Sequence, residues 1–196
     1  MKGVLIVKRI IGLMTLGVLT LAVSALPAAE EEQNAKEHYA ATIAAVGGPA
    51  GGSTASIDIW IDKFSTDEEA LSLAALLAEK GRDALRLAME KLDAGRISID
   101  HRNIVPIAVA RSLAGNNGRT IRIFIARNIA FLEHFKITRS RDYPFSIIEM
   151  QVNEKGEGQG MAIAAAKIHF DDKANQFVVE SLGQGANLRL MNVRRF

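Results

Sequence analysis

The sequence predicts a single α+β domain: a curved, mostly antiparallel sheet, open or partly closed into a barrel, covered on one face by a helix pair at about residues 66–93. Three observations predict it. Segments after residue 56 and after residue 95 alternate apolar and polar side chains, as half-buried strands do. Between them, apolar residues recur at three- and four-residue spacing, the pattern of a helix with one buried face. The later segments are joined by short Gly- and Asn-containing turns, so consecutive strands double back and pair antiparallel. With 196 residues, 48% of them hydrophobic, the chain can bury one such core.

The first element lies outside that domain. Lys2, Lys8 and Arg9 precede an uncharged run from Ile10 to Val23, followed by Ser24, Ala25, Ala28 and Ala29. This is the layout of a secretory signal peptide, residues 1–25, with cleavage as late as residue 29. The alternative is an uncleaved anchor, but Gly12, Gly17 and Pro27 make a poor permanent span. Without the leader, 21 basic residues face 22 acidic ones, so the excess of positive charge belongs to the leader and argues for no nucleic-acid partner. Residues 26–37 are expected to be a flexible acidic segment, and residues 38–196 the single domain.

His38 to Val46 suits a first strand, ended by Gly47-Gly48-Pro49-Ala50-Gly51-Gly52. Ile57, Ile59 and Ile61 then share one face of a second strand, with Asp58, Trp60 and Asp62 on the more solvated face. Ser65 with Glu68, or Thr66 with Glu69, has the spacing of a capping box. Ala70, Leu73, Ala74 and Leu77 mark the face of a first helix, which Gly81 ends in the left-handed conformation. Leu85, Ala88, Met89 and Leu92 mark a second, which Gly95 ends.

Only strands follow. Residues 96–100 alternate, Val105, Ile107, Val109 and Leu113 are expected on one face of the next strand, and Ile121, Ile123 and Ile125 on one face of its partner. A two-residue loop between these strands would put the two apolar sets on opposite sides. A three-residue loop, Asn116-Asn117-Gly118, sets Leu113 against Ile121 and Val109 against Ile125, and is preferred for that reason. Ile148, Met150 and Val152 lead to a second three-residue loop, Glu154-Lys155-Gly156, which brings Gly158 and Gly160 opposite Val152 and Met150. The small residues of 158–166 suggest close approach by another layer. A polar turn at 171–175, a strand with Phe177 and Val179, a turn at Gly183-Gln184-Gly185 and a last strand with Leu188 and Leu190 complete the chain.

Catalytic signals are few. The chain has no Cys, which excludes disulfides, thiolate chemistry and Cys-based metal sites. The four His are scattered. His169-Phe170-Asp171-Asp172 is the best metal-ligating fragment, but it reads equally as a strand entering an acidic turn, and no metal or cofactor is predicted. Gly156-x-Gly158-x-Gly160 has no helix after it to hold a phosphate. Residues 119–145 interleave Arg119, Arg122, Arg127, Lys136, Arg139 and Arg141 with Phe124, Phe131, Phe135, Tyr143 and Phe145, a composition suited to an anion-binding surface. The plainer reading of that stretch is core aromatics and solvated Arg. If a surface is involved, the candidates are Arg122, Arg139, Arg141, Asp142 and Tyr143, with Trp60 as an outlying one. Charge is also uneven: residues 30–95 carry 6 basic and 13 acidic groups, and 96–196 carry 15 and 9.

Several fragments resemble a group of uncharacterised secreted bacterial proteins with no established activity: His38-Tyr39-Ala40-Ala41-Thr42, Phe64-Ser65-Thr66-Asp67-Glu68-Glu69, Ser140-Arg141-Asp142-Tyr143-Pro144-Phe145, Gly156-x-Gly158-x-Gly160 and Leu188-x-Leu190-x-Asn192-Val193. The resemblance implies export and one compact domain, and nothing catalytic. The balance favours a non-enzymatic periplasmic or secreted protein that binds a partner, either an anionic envelope component or another exported protein, and meets the membrane only through its leader. The rival expectation is a metal-independent hydrolase using Glu149 and Glu180 as a carboxylate pair in a sheet pocket.

Overall fold

The computed structural model describes residues 36–47, 51–115, 117–127, 142–171, 173–174, 176–183 and 187–196. The leader and, within the candidate surface, Arg139 and Arg141 lie outside them. No helix among the described residues is long and apolar enough to cross a membrane.

Strict alternation builds the first hairpin. In β1 (Glu37–Ala45) the side chains of Tyr39, Ala41, Ile43 and Ala45 are buried, and in β2 (Thr54–Ile61) those of Ile57, Ile59 and Ile61 are buried beside them. The chain then leaves the sheet for α1 (Asp67–Met89). Thr66 caps this helix: its hydroxyl accepts from the Glu69 N–H, and the Glu69 carboxylate accepts from the Thr66 N–H, while Asp67, Glu68 and Glu69 face the positive end of the helix dipole.

The predicted break at Gly81 is present, but it kinks one helical run rather than separating two helices by a loop. Gly81, at φ 79° and ψ −177°, is the one non-helical residue of that run, so the break takes a single position and no connecting loop. The helix stops at Met89, and Leu92, predicted to belong to its buried face, lies beyond it and is partly exposed. Among the described residues one helix stands against ten strands, so the domain is mostly β rather than the α+β expected.

The remaining strands are β3 (Gly95–Ile99), β4 (Asn103–Ile107), β5 (Val109–Gly115), β6 (Gly118–Ile125), β7 (Phe145–Val152), β8 (Gly158–Asp171), β9 (Gln176–Ser181) and β10 (Asn187–Arg195). They join β1 and β2 in one antiparallel sheet of order β4-β3-β2-β1-β10-β8-β7-β6-β5, with β9 extending the free part of β8. β4 and β5 sit at opposite ends of that order yet are separated in the chain by Ala108 alone. They are therefore two halves of one bent strand, the first paired with β3 and the second with β6, and the sheet curls into a nearly closed barrel. Its interior is filled by side chains such as Ile43, Ile59, Ile97, Ile121, Ile148 and Leu190, as expected of a small barrel.

Ala108 explains where the expected register fails. Its N–H donates to the Phe124 carbonyl (3.0 Å), and Val109 also stands opposite Phe124, so one extra residue is inserted here as a β-bulge. Val105 and Ile107 point into the barrel, whereas Val109 points out and packs beneath α1. The next hairpin accordingly turns through two residues, with Gly115 opposite Gly118, Leu113 opposite Thr120 and Ser112 opposite Ile121; the preferred three-residue loop is not formed. The β7–β8 hairpin does follow the expected pattern. Asn153 N–H donates to the Glu157 carbonyl (2.9 Å) around Glu154-Lys155-Gly156, and Gly158 and Gly160 lie opposite Val152 and Met150.

A second core lies outside the barrel wall, where Leu77, Leu85 and Met89 of α1 meet Val109, Phe145, Ile147, Ala166 and Ile168. Leu85→Ala is expected to lower the unfolding free energy by about 3 kcal/mol, because the cavity it leaves is held open by the barrel wall. Leu87, on the same helix but 51% exposed, should shift it by less than about 0.5 kcal/mol when changed to Ala. Urea midpoints of the two variants compare them directly; equal shifts would show that α1 does not dock by this face.

Candidate functional site

At one mouth of the barrel the inward-facing positions turn from apolar to charged. Glu37 and Tyr39 open β1, Arg119 faces in from β6 beside Val152, and Arg195 stands opposite Tyr39 near the end of β10. Arg119 Nη2 donates to Glu37 Oε1 and, at 2.8 Å, to Tyr39 Oη; Tyr39 Oη donates to Glu37 Oε2 at 2.9 Å. The Glu37 side chain is only 8% exposed. Arg195 Nη1 approaches the same Glu37 oxygen at 3.8 Å but is 43% exposed, so two guanidinium groups share one carboxylate. Burial opposes the charge on Arg119, yet its hydrogen bond to Glu37 and the nearby Tyr39 and Glu37 outweigh that and push its pKa up. Burial, then the charge of Glu37, pushes the Tyr39 phenol up to about 12.

Above this network opens a cleft of about 640 Å³, walled by Phe64, the capped start of α1, Arg111, Ser112, Ala114, Arg119, Asn153, Glu154 and Arg195. The Arg119 guanidinium lies 5.6 Å from the Phe64 ring centre. Arg111 reaches the opposite wall, donating to the Ser65 carbonyl (2.8 Å) and to Asp67. Local sequence puts these groups here for separate reasons: Glu37 and Tyr39 by the same alternation that buries Ile43, Arg111 by the outward turn after Ala108, and Ser65 by the cap that starts α1.

Trp60 belongs to a different cluster, on the outer face of β1–β3. His38 stacks on it with ring centres 4.8 Å apart and planes at 8°, and the Arg96 guanidinium covers it at 4.9 Å. Phe196 flanks His38 at 5.5 Å. Asp58, nearly buried, takes His38 Nε2 on one oxygen (3.0 Å) and His101 Nδ1 on the other (3.3 Å). Left-handed backbone at Asp100 and His101 (φ 48° and 55°) makes the tight β3–β4 turn that aims His101 at Asp58. Among the described residues no group of three or more His, Asp or Glu is placed to hold a metal ion.

The other candidates are dispersed. Arg122, on the outer face of β6, donates from Nε to Glu149 Oε2 at 2.6 Å. Asp142 accepts from Arg82 Nη1 through its carbonyl (2.8 Å), and Tyr143 packs against the barrel core. Trp60 and Arg122 are three strands apart by the shorter way round the barrel, through β3 and the bent β4–β5 strand. Glu149 and Glu180 do not meet: they stand opposite Met161 and Lys167 on different flanks of β8, six residues or about 20 Å apart along it. Glu180 lies 3.6 Å from both Lys167 and His169. Within residues 119–145, Phe124 and Phe145 are packed beneath α1 as core aromatics, but Arg119 and Arg122 are held in ion pairs with Glu37 and Glu149 rather than solvated. Comparison with family models, curated proteins and solved structures returns no match.

Sequence reasoning did not single out Glu37, Tyr39 and Arg195. A signal was present for the first two, which continue the parity of Ala41 and Ile43 and so place a carboxylate and a phenol on the buried face. Arg195 carried none, because its register depends on irregular pairing of β10 with both β1 and β8.

Proposed function

We propose that this is an exported, non-enzymatic binding protein whose barrel mouth receives a partner outside the cytosol. The observation that carries this reading is the mouth cleft itself. A ring, a half-exposed guanidinium and a stretch of sheet edge converge there, at the end of a barrel whose interior is already filled. Arg195 favours an anionic group on the partner, since Glu37 is shared with Arg119. Export is supported by the leader pattern in residues 1–29 and by the resemblance to secreted proteins. The hydrolase alternative draws no support from Glu149 and Glu180, which are kept apart and engaged with cations.

A photo-reactive phenylalanine analogue at position 114 is expected to capture a partner in the producing cell's envelope, while the same group at position 189, on the outer face of β10, captures none. Absence of an adduct at 114, or equal capture at 189, would overturn the assignment of the site. N-terminal sequencing of the purified protein tests export: a start at Leu26 to Glu30 is expected, and retention of Met1 would count against it.

A further inference from the structure

We infer that the cleft recognises its partner by strand addition: an extended peptide of another exported protein pairs with the free edge of β5. This rests on the proposed binding role of the mouth and specifies its ligand. β5 ends the sheet order, paired with β6 alone, so among the described residues no strand covers its other edge. The alternation of the ladder decides which groups are free. Ala110 turns its carbonyl away from β6, where it accepts from the Ser65 N–H at 2.7 Å, and residues of the same parity, Ser112 and Ala114, turn theirs the same way.

That Ser65–Ala110 bond is the first rung of a ladder on this edge. The chain abandons it at Thr66, where α1 begins. The N–H and C=O groups of Ser112 and Ala114 continue the row into the cleft, both residues lining its wall. The edge carries no Pro or Lys of the kind that usually discourages pairing. Small side chains at 112 and 114 leave room beside them for the inward side chain of an added strand. Arg195 stands across the cleft as a half-exposed guanidinium. Since Glu68 and Glu154 also line the cleft, a single acidic side chain or terminal carboxylate on the peptide, set against Arg195, completes the contact.

The probe is a display library of random heptapeptides selected on the full chain. Selected peptides are expected to be acidic, to slow amide hydrogen exchange at Ser112 and Ala114, and to lose at least tenfold in affinity when N-methylated at alternate residues. Ser112→Pro should weaken them similarly, and Arg195→Gln should relax the acidic preference. Peptides that bind without protecting Ser112 and Ala114, or that tolerate N-methylation, would overturn strand addition. So would a concentration-dependent dimer abolished by Ser112→Pro, which would make the occupant a second copy of this chain. Capture of a non-peptide partner at position 114 would sink strand addition and leave the binding role standing; no capture there would sink both.

Discussion

Arg119→Met is expected to be among the most damaging single substitutions in the molecule, lowering the unfolding free energy by about 3–5 kcal/mol. Methionine fills much of the space, so the loss is electrostatic. Glu37 would be left at 8% exposure with one of its two close donors removed, and Arg195, 3.8 Å away, is too far to replace a direct hydrogen bond. The double variant Glu37→Leu with Arg119→Met removes both charges and should recover most of the loss, because an apolar pair needs no partner. Chemical denaturation of the three proteins decides the matter. If the single variant unfolds with the wild type, the buried network contributes no stability. Tyr39 adds a pH signature: its folded pKa, about 12, lies above the ordinary value of 10. The folded state therefore holds this proton after the unfolded chain releases it, and the stabilisation present below pH 10 is lost as the pH rises toward 12.

The contrast between the two predicted hairpins shows what the sequence can reveal. Around Glu154-Lys155-Gly156, one face of each strand is apolar and Gly156 sits at φ 78°, so face and turn chemistry select the same register. Around Asn116-Asn117 the apolar pattern belongs to two cores at once. Val109 is buried beneath α1 and Ile121 inside the barrel, so reading both as one face selects the wrong loop. Nothing local in Val105–Leu113 announces the bulge at Ala108, which exists because one strand must serve β3 and β6 in turn. The same limit applies to the site. Trp60 and its neighbouring carboxylate Asp58 were legible as an outer face, but stacking by His38, from another strand, was not. The mouth cleft is assembled from the start of α1, β5, β6, the β7–β8 turn and β10, and with the Glu37 network beneath it the charged groups span 158 positions, from Glu37 to Arg195. No spacing rule reaches that far.

Gly158→Ala is expected to be the second severe substitution, costing about 3 kcal/mol or more and preventing accumulation of folded protein if the hairpin cannot shift. A β-carbon built at Gly158 falls 1.8 Å from the Gln151 carbonyl oxygen and 2.9 Å from its carbon, and both belong to the backbone of the paired strand. A side chain could rotate away, but a carbonyl in the β7–β8 ladder moves only by breaking its rungs. Gly160 repeats the approach two residues on, with a β-carbon 2.3 Å from the Glu149 carbonyl oxygen, so the close contact runs along the hairpin. Gly183 supplies the comparison. Its φ of 84° strains any other residue, but nothing lies within 4 Å of an added β-carbon, so Gly183→Ala should cost only the 1–2 kcal/mol of left-handed backbone. Thermal unfolding of the two variants separates steric exclusion from conformational strain. Equal losses would mean that β7 and β8 do not approach each other this closely, and that the register placing Gly158 opposite Val152 is wrong.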